Sequence, residues 1–163
     1  LILQIRRPFG VGDQITIHDR SGRVDEISAR TVRIITPEGE RVHLTNRSVL
    51  EGAITNLVSQ GRRMTTFVVG VEYATDLDRA REVSVEAISG TDNAEAGPPP
   101  AAFVEEFSDS TINIACRFWH GPEIETGWVA RDEAMRAVKR AFDNTGITIA
   151  FPQRVLWTGD EAA

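Results

Sequence analysis

The side chains able to support metal, proton-transfer or nucleophilic chemistry include three histidines, one cysteine and the adjacent acid pairs Asp25-Glu26, Glu105-Glu106 and Asp132-Glu133. No two of His18, His43 and His120 have zinc-ligand spacing, and no cysteine or acidic cluster completes a set. His18 and His43 fall on the polar phase of strand-like runs, which reads as solvated or rim placement. His120 precedes Gly121-Pro122, a turn context. Cys116 lies in Ile112-Asn113-Ile114-Ala115-Cys116-Arg117-Phe118, in phase with Ile112, Ile114 and Phe118. That is the pattern of a small core residue, not the exposed, electropositive setting of a catalytic thiolate. Asp25-Glu26 and Glu105-Glu106 sit in strand-like runs, where neighbours point to opposite faces and cannot form a catalytic pair. Asp132-Glu133 falls among arginines on the outer face of a helical run, as ordinary i,i+4 charge pairing. Nucleotide-binding glycine patterns, nucleophile elbows and metalloprotease motifs do not occur. The expectation is a protein that is not an enzyme and carries no metal or cofactor.

With 163 residues, 41% hydrophobic and 26% charged, the chain can fill one sizeable core or two small ones. It contains no apolar run of about 18 residues that could span a bilayer as a helix. No secretory-signal pattern occurs, and a first residue other than Met suggests a piece of a longer chain. The single cysteine excludes an intrachain disulfide. The net charge of −6 is uneven: residues 1–62 carry nine arginines against seven acids, leaving −8 on the remainder. This division suggests two domains, and neither has the concentrated basic face that nucleic acid requires.

The elements that would position these residues follow from periodicity. Between residues 13 and 58, short alternating runs (Ile15 and Ile17, Val32 and Ile34, Val42 and Leu44) are separated by turn chemistry at Asp19–Gly22 and Thr36–Glu40. Val24 and Ile27 are three apart, which breaks alternation and predicts a bulged, bent strand. Short strands on tight turns favour a small barrel, with one helical turn over 46–52 and a last strand over 53–58. A second series begins with a strand over 64–73, with Phe67, Val69, Val71 and Tyr73 on one face. A helix opens at Thr75-Asp76-Leu77-Asp78 with Leu77, Ala80, Ser84, Ala87 and Ile88 as its apolar stripe. An exposed loop over 90–100 leads to strands over 102–107 and 111–119. A helix over 126–144 then turns Trp128, Met135, Val138 and Phe142 inward and is stopped by Asn144 and Gly146. A last short strand over 154–158 completes the order of a split βαβ, ferredoxin-like sandwich.

One constellation is more specific. Arg7-Pro8-Phe9-Gly10-Val11-Gly12-Asp13 is followed by Gly22-Arg23-Val24-Asp25-Glu26-Ile27-Ser28-Ala29-Arg30-Thr31, then Thr45-Asn46, Ile54-Thr55-Asn56, Tyr73-Ala74-Thr75-Asp76 and Phe151-Pro152-Gln153. In this order the motifs resemble the signature of the small-conductance mechanosensitive channel (MscS) family, and the resemblance spans nearly the whole chain. Thr45 departs from the family's usual proline before the asparagine, which implies a less rigid strand end. The residues that carry the resemblance are Pro8, Phe9, Gly12, Asp13, Gly22, Val24, Ile27, Arg30, Asn46, Asn56, Tyr73 and Asp76. Physically, Pro8 ends a preceding helix, Gly12-Asp13 makes the turn into the barrel, and Gly22 makes the first hairpin. Arg30 and Asn56 are expected to make intersubunit or interdomain hydrogen bonds.

The resemblance implies an α+β chain: the end of a pore-lining helix (1–9), an Sm-like β-barrel (10–61), a ferredoxin-like domain (62–152) and a C-terminal strand and tail (153–163). It implies the vestibule of a channel that opens under membrane tension to release ions and small solutes in osmotic downshock. The partners would be copies of itself, typically seven, and the bilayer of the cell (inner) membrane through upstream helices, with this region on the cytoplasmic side. Two rivals are a ligand-sensing domain of a membrane protein and an Sm-like nucleic-acid-binding ring. The acidic balance and the lack of aromatics interleaved with a basic groove weigh against the second.

Overall fold

The computed structural model describes residues 8–151, so most of the expected pore-helix end (1–9) and the strand over 154–158 lie outside the described residues. The first series folds as β1 (Gln14–Ile17), β2 (Arg20–Ile27), β3 (Thr31–Ile35), β4 (Arg41–Thr45), α1 (Asn46–Glu51) and β5 (Ile54–Asn56). The strands form one antiparallel sheet in the order β4-β3-β2-β1-β5. Phe9, Ile15, Ile17, Val24, Val32, Ile34 and Val49 form a single buried cluster. The sheet has to curl for its strands to contribute to one core, and α1, which follows edge strand β4 and precedes edge strand β5, adds Val49. Thr45, where the family pattern carries proline, caps α1: its hydroxyl accepts from the Ser48 N–H at 3.1 Å.

The β2–β3 register shifts between Val24 and Glu26, as the Val24–Ile27 spacing predicts. The bulge overturns a second expectation. Asp25 and Glu26 do not point to opposite faces; the inserted residue resets the alternation, and both reach Arg33, at 2.6 and 2.8 Å. Gly22 is also displaced from its expected role. The β1–β2 turn is His18-Asp19, with Ile17 opposite Arg20 and His18 at φ 54°, while Gly22 sits inside β2 opposite Ile15. A Cβ on Gly22 would lie 2.6 Å from the Ile35 carbonyl oxygen, so this glycine permits close strand approach and does not form a turn.

The second series is β6 (Arg63–Val71), α2 (Leu77–Ser89), β7 (Ala101–Phe107), β8 (Ile112–His120) and α3 (Ile124–Thr145). Its sheet runs β6-β8-β7, with β8 antiparallel to both neighbours, and a Val71–Ile149 bridge lies outside the named strands. Both helices pack on the face bearing Phe67, Val71, Ile112, Ile114, Cys116 and Phe118. Burial pushes the Cys116 thiol up to about 11, so it remains a protonated core residue.

Three details differ from the pattern reading. Asp76, not Thr75, caps α2, accepting from the Arg79 N–H at 3.1 Å, and Val83 joins the buried stripe. Tyr73 lies beyond β6 with its ring exposed, although its hydroxyl donates to the Ser108 carbonyl at 2.6 Å. Along α3 the buried stripe is Ala130, Ala134, Ala137, Val138 and Phe142, whereas Trp128 and Met135 are 57% and 44% exposed. The alanines bring the helix axis close to the sheet, and the two large side chains fall on an adjoining stripe.

Replacing Gly22 by Ala forces β2 away from β3. The expected outcome is a loss of about 1–3 kcal/mol, read as a lower urea midpoint with an unchanged m-value.

Candidate functional site

The chain entering at Pro8 is tied to the first sheet by a compact set of hydrogen bonds. Gly12, at φ 97°, turns the backbone so that its N–H donates to the Val24 carbonyl at 2.8 Å, and the Val24 N–H returns a bond to the Asp13 carbonyl at 2.8 Å. The Asp13 carboxylate accepts from the Gly10 N–H and from the Asn56 amide, both at 2.9 Å. That amide also donates to the Pro8 carbonyl at 3.4 Å. Phe9, 5% exposed, inserts its ring into the core beside these bonds. Pro8, Phe9, Gly12, Asp13, Val24 and Asn56 therefore converge on one corner. Asn56 spends its amide within this corner, on the Asp13 carboxylate and the Pro8 carbonyl.

The other motif residues lie elsewhere. Ile27 is half-buried against the barrel core. Asn46 opens α1 and donates from its amide to the Ser28 and Ala29 carbonyls at 3.2 and 3.0 Å, while its N–H bonds the Arg30 carbonyl at 2.9 Å. Arg30 is exposed and bonds here through its backbone, its carbonyl accepting from Asn46 and its own N–H donating to the Ser28 hydroxyl at 3.4 Å. Tyr73 and Asp76 belong to the second series, at the exit of β6 and the start of α2.

Pattern reasoning missed the seam between the two sheets. Gln14, 2% exposed, donates from its amide to Glu125 Oε2 at 3.0 Å, and its carbonyl oxygen accepts from the Ile124 N–H at 2.8 Å. One buried side chain of β1 thus satisfies an orphan donor at the start of α3. The Gln14 bond, the Glu125 backbone N–H and the nearby Arg23 charge hold the Glu125 carboxyl below its ordinary range. Next to this tie, His120 is fully buried at the end of β8, not in a turn. The Gly121 carbonyl can only accept, so Nδ1 donates to it at 2.6 Å, and Nε2 shares a hydrogen bond with the Thr65 hydroxyl at 2.8 Å. A Cβ on Gly127 would stand 2.9 Å from the His120 ring, so glycine lets α3 cross there. Beside the seam opens a cleft of about 610 Å³, walled by the β1–β2 and β3–β4 hairpins on one side and by β6, β8 and α3 on the other. The phase of His120 with Phe118 and Cys116 was a usable signal; Gln14 shares the outward phase of Thr16, and only the arrival of α3 buries it.

Among the described residues no group of three or more His, Cys, Asp or Glu could hold a metal ion. None of the described helices is long and apolar enough to cross a membrane.

Comparison with known proteins matches residues 1–59 to the model for the mechanosensitive ion channel beta-domain, and residues 65–149 to that for the MscS C-terminal region. An uncharacterised MscS family protein of Archaeoglobus fulgidus is 33% identical over 99% of this chain and 56% of its own length. The small-conductance mechanosensitive channel MscMJ of Methanocaldococcus jannaschii is 27% identical over 93% of this chain and 44% of its own. The crystal structure of Helicobacter pylori MscS in a closed state superimposes with a TM-score of 0.89 at 27% identity, covering 98% of this chain and 63% of that one. The chain spans about half the length of the curated relatives it matches.

Gln14→Leu strands the Ile124 N–H and one Glu125 oxygen, and a loss of about 1–3 kcal/mol is expected, measurable as a lower urea midpoint. The Glu125 carboxyl is depressed on folding, so its contribution is fully present above the ordinary carboxylate value and is lost as pH falls through the lower folded value. Stability measured from pH 5 to pH 2 should therefore decline less steeply in Glu125→Gln than in the parent.

Proposed function

The chain belongs to the MscS family of mechanosensitive ion channels, and on that premise we propose that it forms the extramembrane vestibule of a channel opened by membrane tension. Upstream helices would sense tension in the cell (inner) membrane. This region would sit on the cytoplasmic side, anchor the pore-lining segment, drive assembly and filter the ions and small solutes released in osmotic downshock. It performs no catalysis in this reading.

The observation that carries the proposal is the corner at Pro8–Asp13. Proline cannot continue a helix, and within six residues the chain is bonded to β2, to the end of β5 and, through Phe9, to the barrel core. A helix arriving at Pro8 would thus pull on a folded domain and not on a loose linker.

Assembly into a homo-oligomer, of seven copies by analogy with the family pattern, is supported by unpartnered apolar surface. The sheet face opposite the helices exposes Met64, Val68 and Phe103 by 50%, 46% and 48%, with Val68 and Phe103 flanking Ala115 in direct register. On α3, Val129 and Met135 are exposed as well, by 50% and 44%. Two different apolar faces on one chain suit a head-to-tail interface, which closes into a ring when the rotation between copies closes.

Light scattering of the parent chain should give a discrete ring mass, and Val68→Lys should shift it to smaller species. A parent that is strictly monomeric would remove this chain's role in assembly. In the full-length channel, neutralising Glu105, Glu106 and Glu123 should move the reversal potential in a salt gradient toward anions, because the acidic second domain would enrich cations near the openings. An unchanged reversal potential would sink the charge-filter idea.

A further inference from the structure

The cleft beside the seam has walls of opposite sign that do not meet. On the hairpin wall stand Asp19, Glu38 and Glu40, with Arg20 alone among them. Arg20 reaches Glu40 only at 3.8 Å, with both side chains more than half exposed. The Thr36 hydroxyl, followed by its own backbone N–H, holds the Glu38 carboxyl below its ordinary range, so this wall stays anionic. The opposite wall presents Arg63 and Arg131 and no acid. Neither arginine has an ion-pair partner among the described residues, although acids stand across the gap. Trp128 borders the same space with 57% of its surface exposed. The volume, about 610 Å³, lies within the roughly 300–1,000 Å³ of small-molecule sites, which favour interdomain positions.

We infer that the cleft binds a small amphoteric organic solute, an α-amino acid or a betaine, with its carboxylate on Arg63 and Arg131 and its cationic nitrogen toward Glu38 and Glu40. A simple anion gains from the arginines but is opposed by the carboxylates facing them, and a simple cation meets the reverse arrangement. Only a molecule carrying both charges satisfies both walls. The planar fork of a guanidinium suits a planar carboxylate. The indole of Trp128 offers an apolar and cation-attracting surface to the methylene or N-methyl groups between the charges. Since the cleft is open to water, its charges are screened and the affinity belongs in the millimolar range. The ligand would bridge the two halves of the chain, whose direct polar tie at this seam is Gln14. Occupancy would thereby stiffen the seam in step with solute concentration. For the channel read above, a released solute would report its own abundance; the binding itself does not depend on that reading.

The test is isothermal titration of this chain with glycine betaine and L-proline. Sodium acetate and tetramethylammonium chloride serve as the two half-ligands, all at constant ionic strength. Calorimetry is preferred to a melting shift because such solutes raise stability non-specifically by exclusion from the protein surface. Saturable heats are expected for at least one zwitterion, with at least tenfold weaker binding of each half-ligand. Arg63→Gln/Arg131→Gln should weaken the zwitterion tenfold or more while circular dichroism stays unchanged, and Trp128→Ala should weaken betaine more than proline. Acetate binding as tightly as the zwitterion would make this a plain anion site and overturn the inference. So would undiminished binding to the double variant, or no saturable heat with either zwitterion. None of these results would touch the vestibule reading, which rests on assembly and conductance.

Discussion

Much of the first domain's usefulness depends on one carboxylate. Asp13 is the point where the incoming chain, the turn at Gly10–Gly12 and the end of β5 meet, because its Oδ2 accepts from both the Gly10 N–H and the Asn56 amide. Charge-assisted bonds of this kind are shorter and stronger than neutral ones. Two segments remote in sequence, residues 8–13 and the end of β5, cannot separate here without leaving a carboxylate underbonded. The corner is local in space and long-range in sequence, so it links the first described residues to position 56. Whatever precedes Pro8 is thus mechanically continuous with the curled sheet, and the sheet with its core.

From that sheet the tie to the second half is of a different kind. Gln14 is neutral and buried, and it makes two bonds, one to a carboxylate and one to a helix N–H. A buried amide is costly to leave unsatisfied but gains little net energy when satisfied. It therefore specifies how the halves dock more than how tightly they hold. The close crossing of α3 at Gly127, directly over the buried His120 ring, limits the same geometry by packing.

The strands and helices were largely legible in the sequence because each has one wet face and one dry face. Alternation at Ile15/Ile17, Val32/Ile34 and Ile112–Phe118 names strands wherever the sheet lies, and the break between Val24 and Ile27 located the bulge. What failed was orientation that depends on a partner. Trp128 and Met135 looked like core because they are large and lie near helical spacing with Phe142, yet the alanines pack the sheet. Size marks hydrophobic cost, but close approach of a helix to a sheet selects small residues. Asp25 and Glu26 were assigned opposite faces by a rule that holds only in unbroken ladders. Gln14 could not be found from its own strand at all, since the surface that buries it comes from residues 124 and 125.

The bulge in β2 also has a consequence for alignment. A regular hairpin of Val- and Ile-rich strands can slide by two residues and keep every apolar side chain facing inward. With one extra residue looped out at Asp25, Arg33 faces both acids in only one setting of the two strands, and any slide carries a carboxylate away from its guanidinium. The irregularity works like the notch on a key. It costs a ladder bond, and in return the β2–β3 pair, along with every strand ordered from it, has a single position in which it closes.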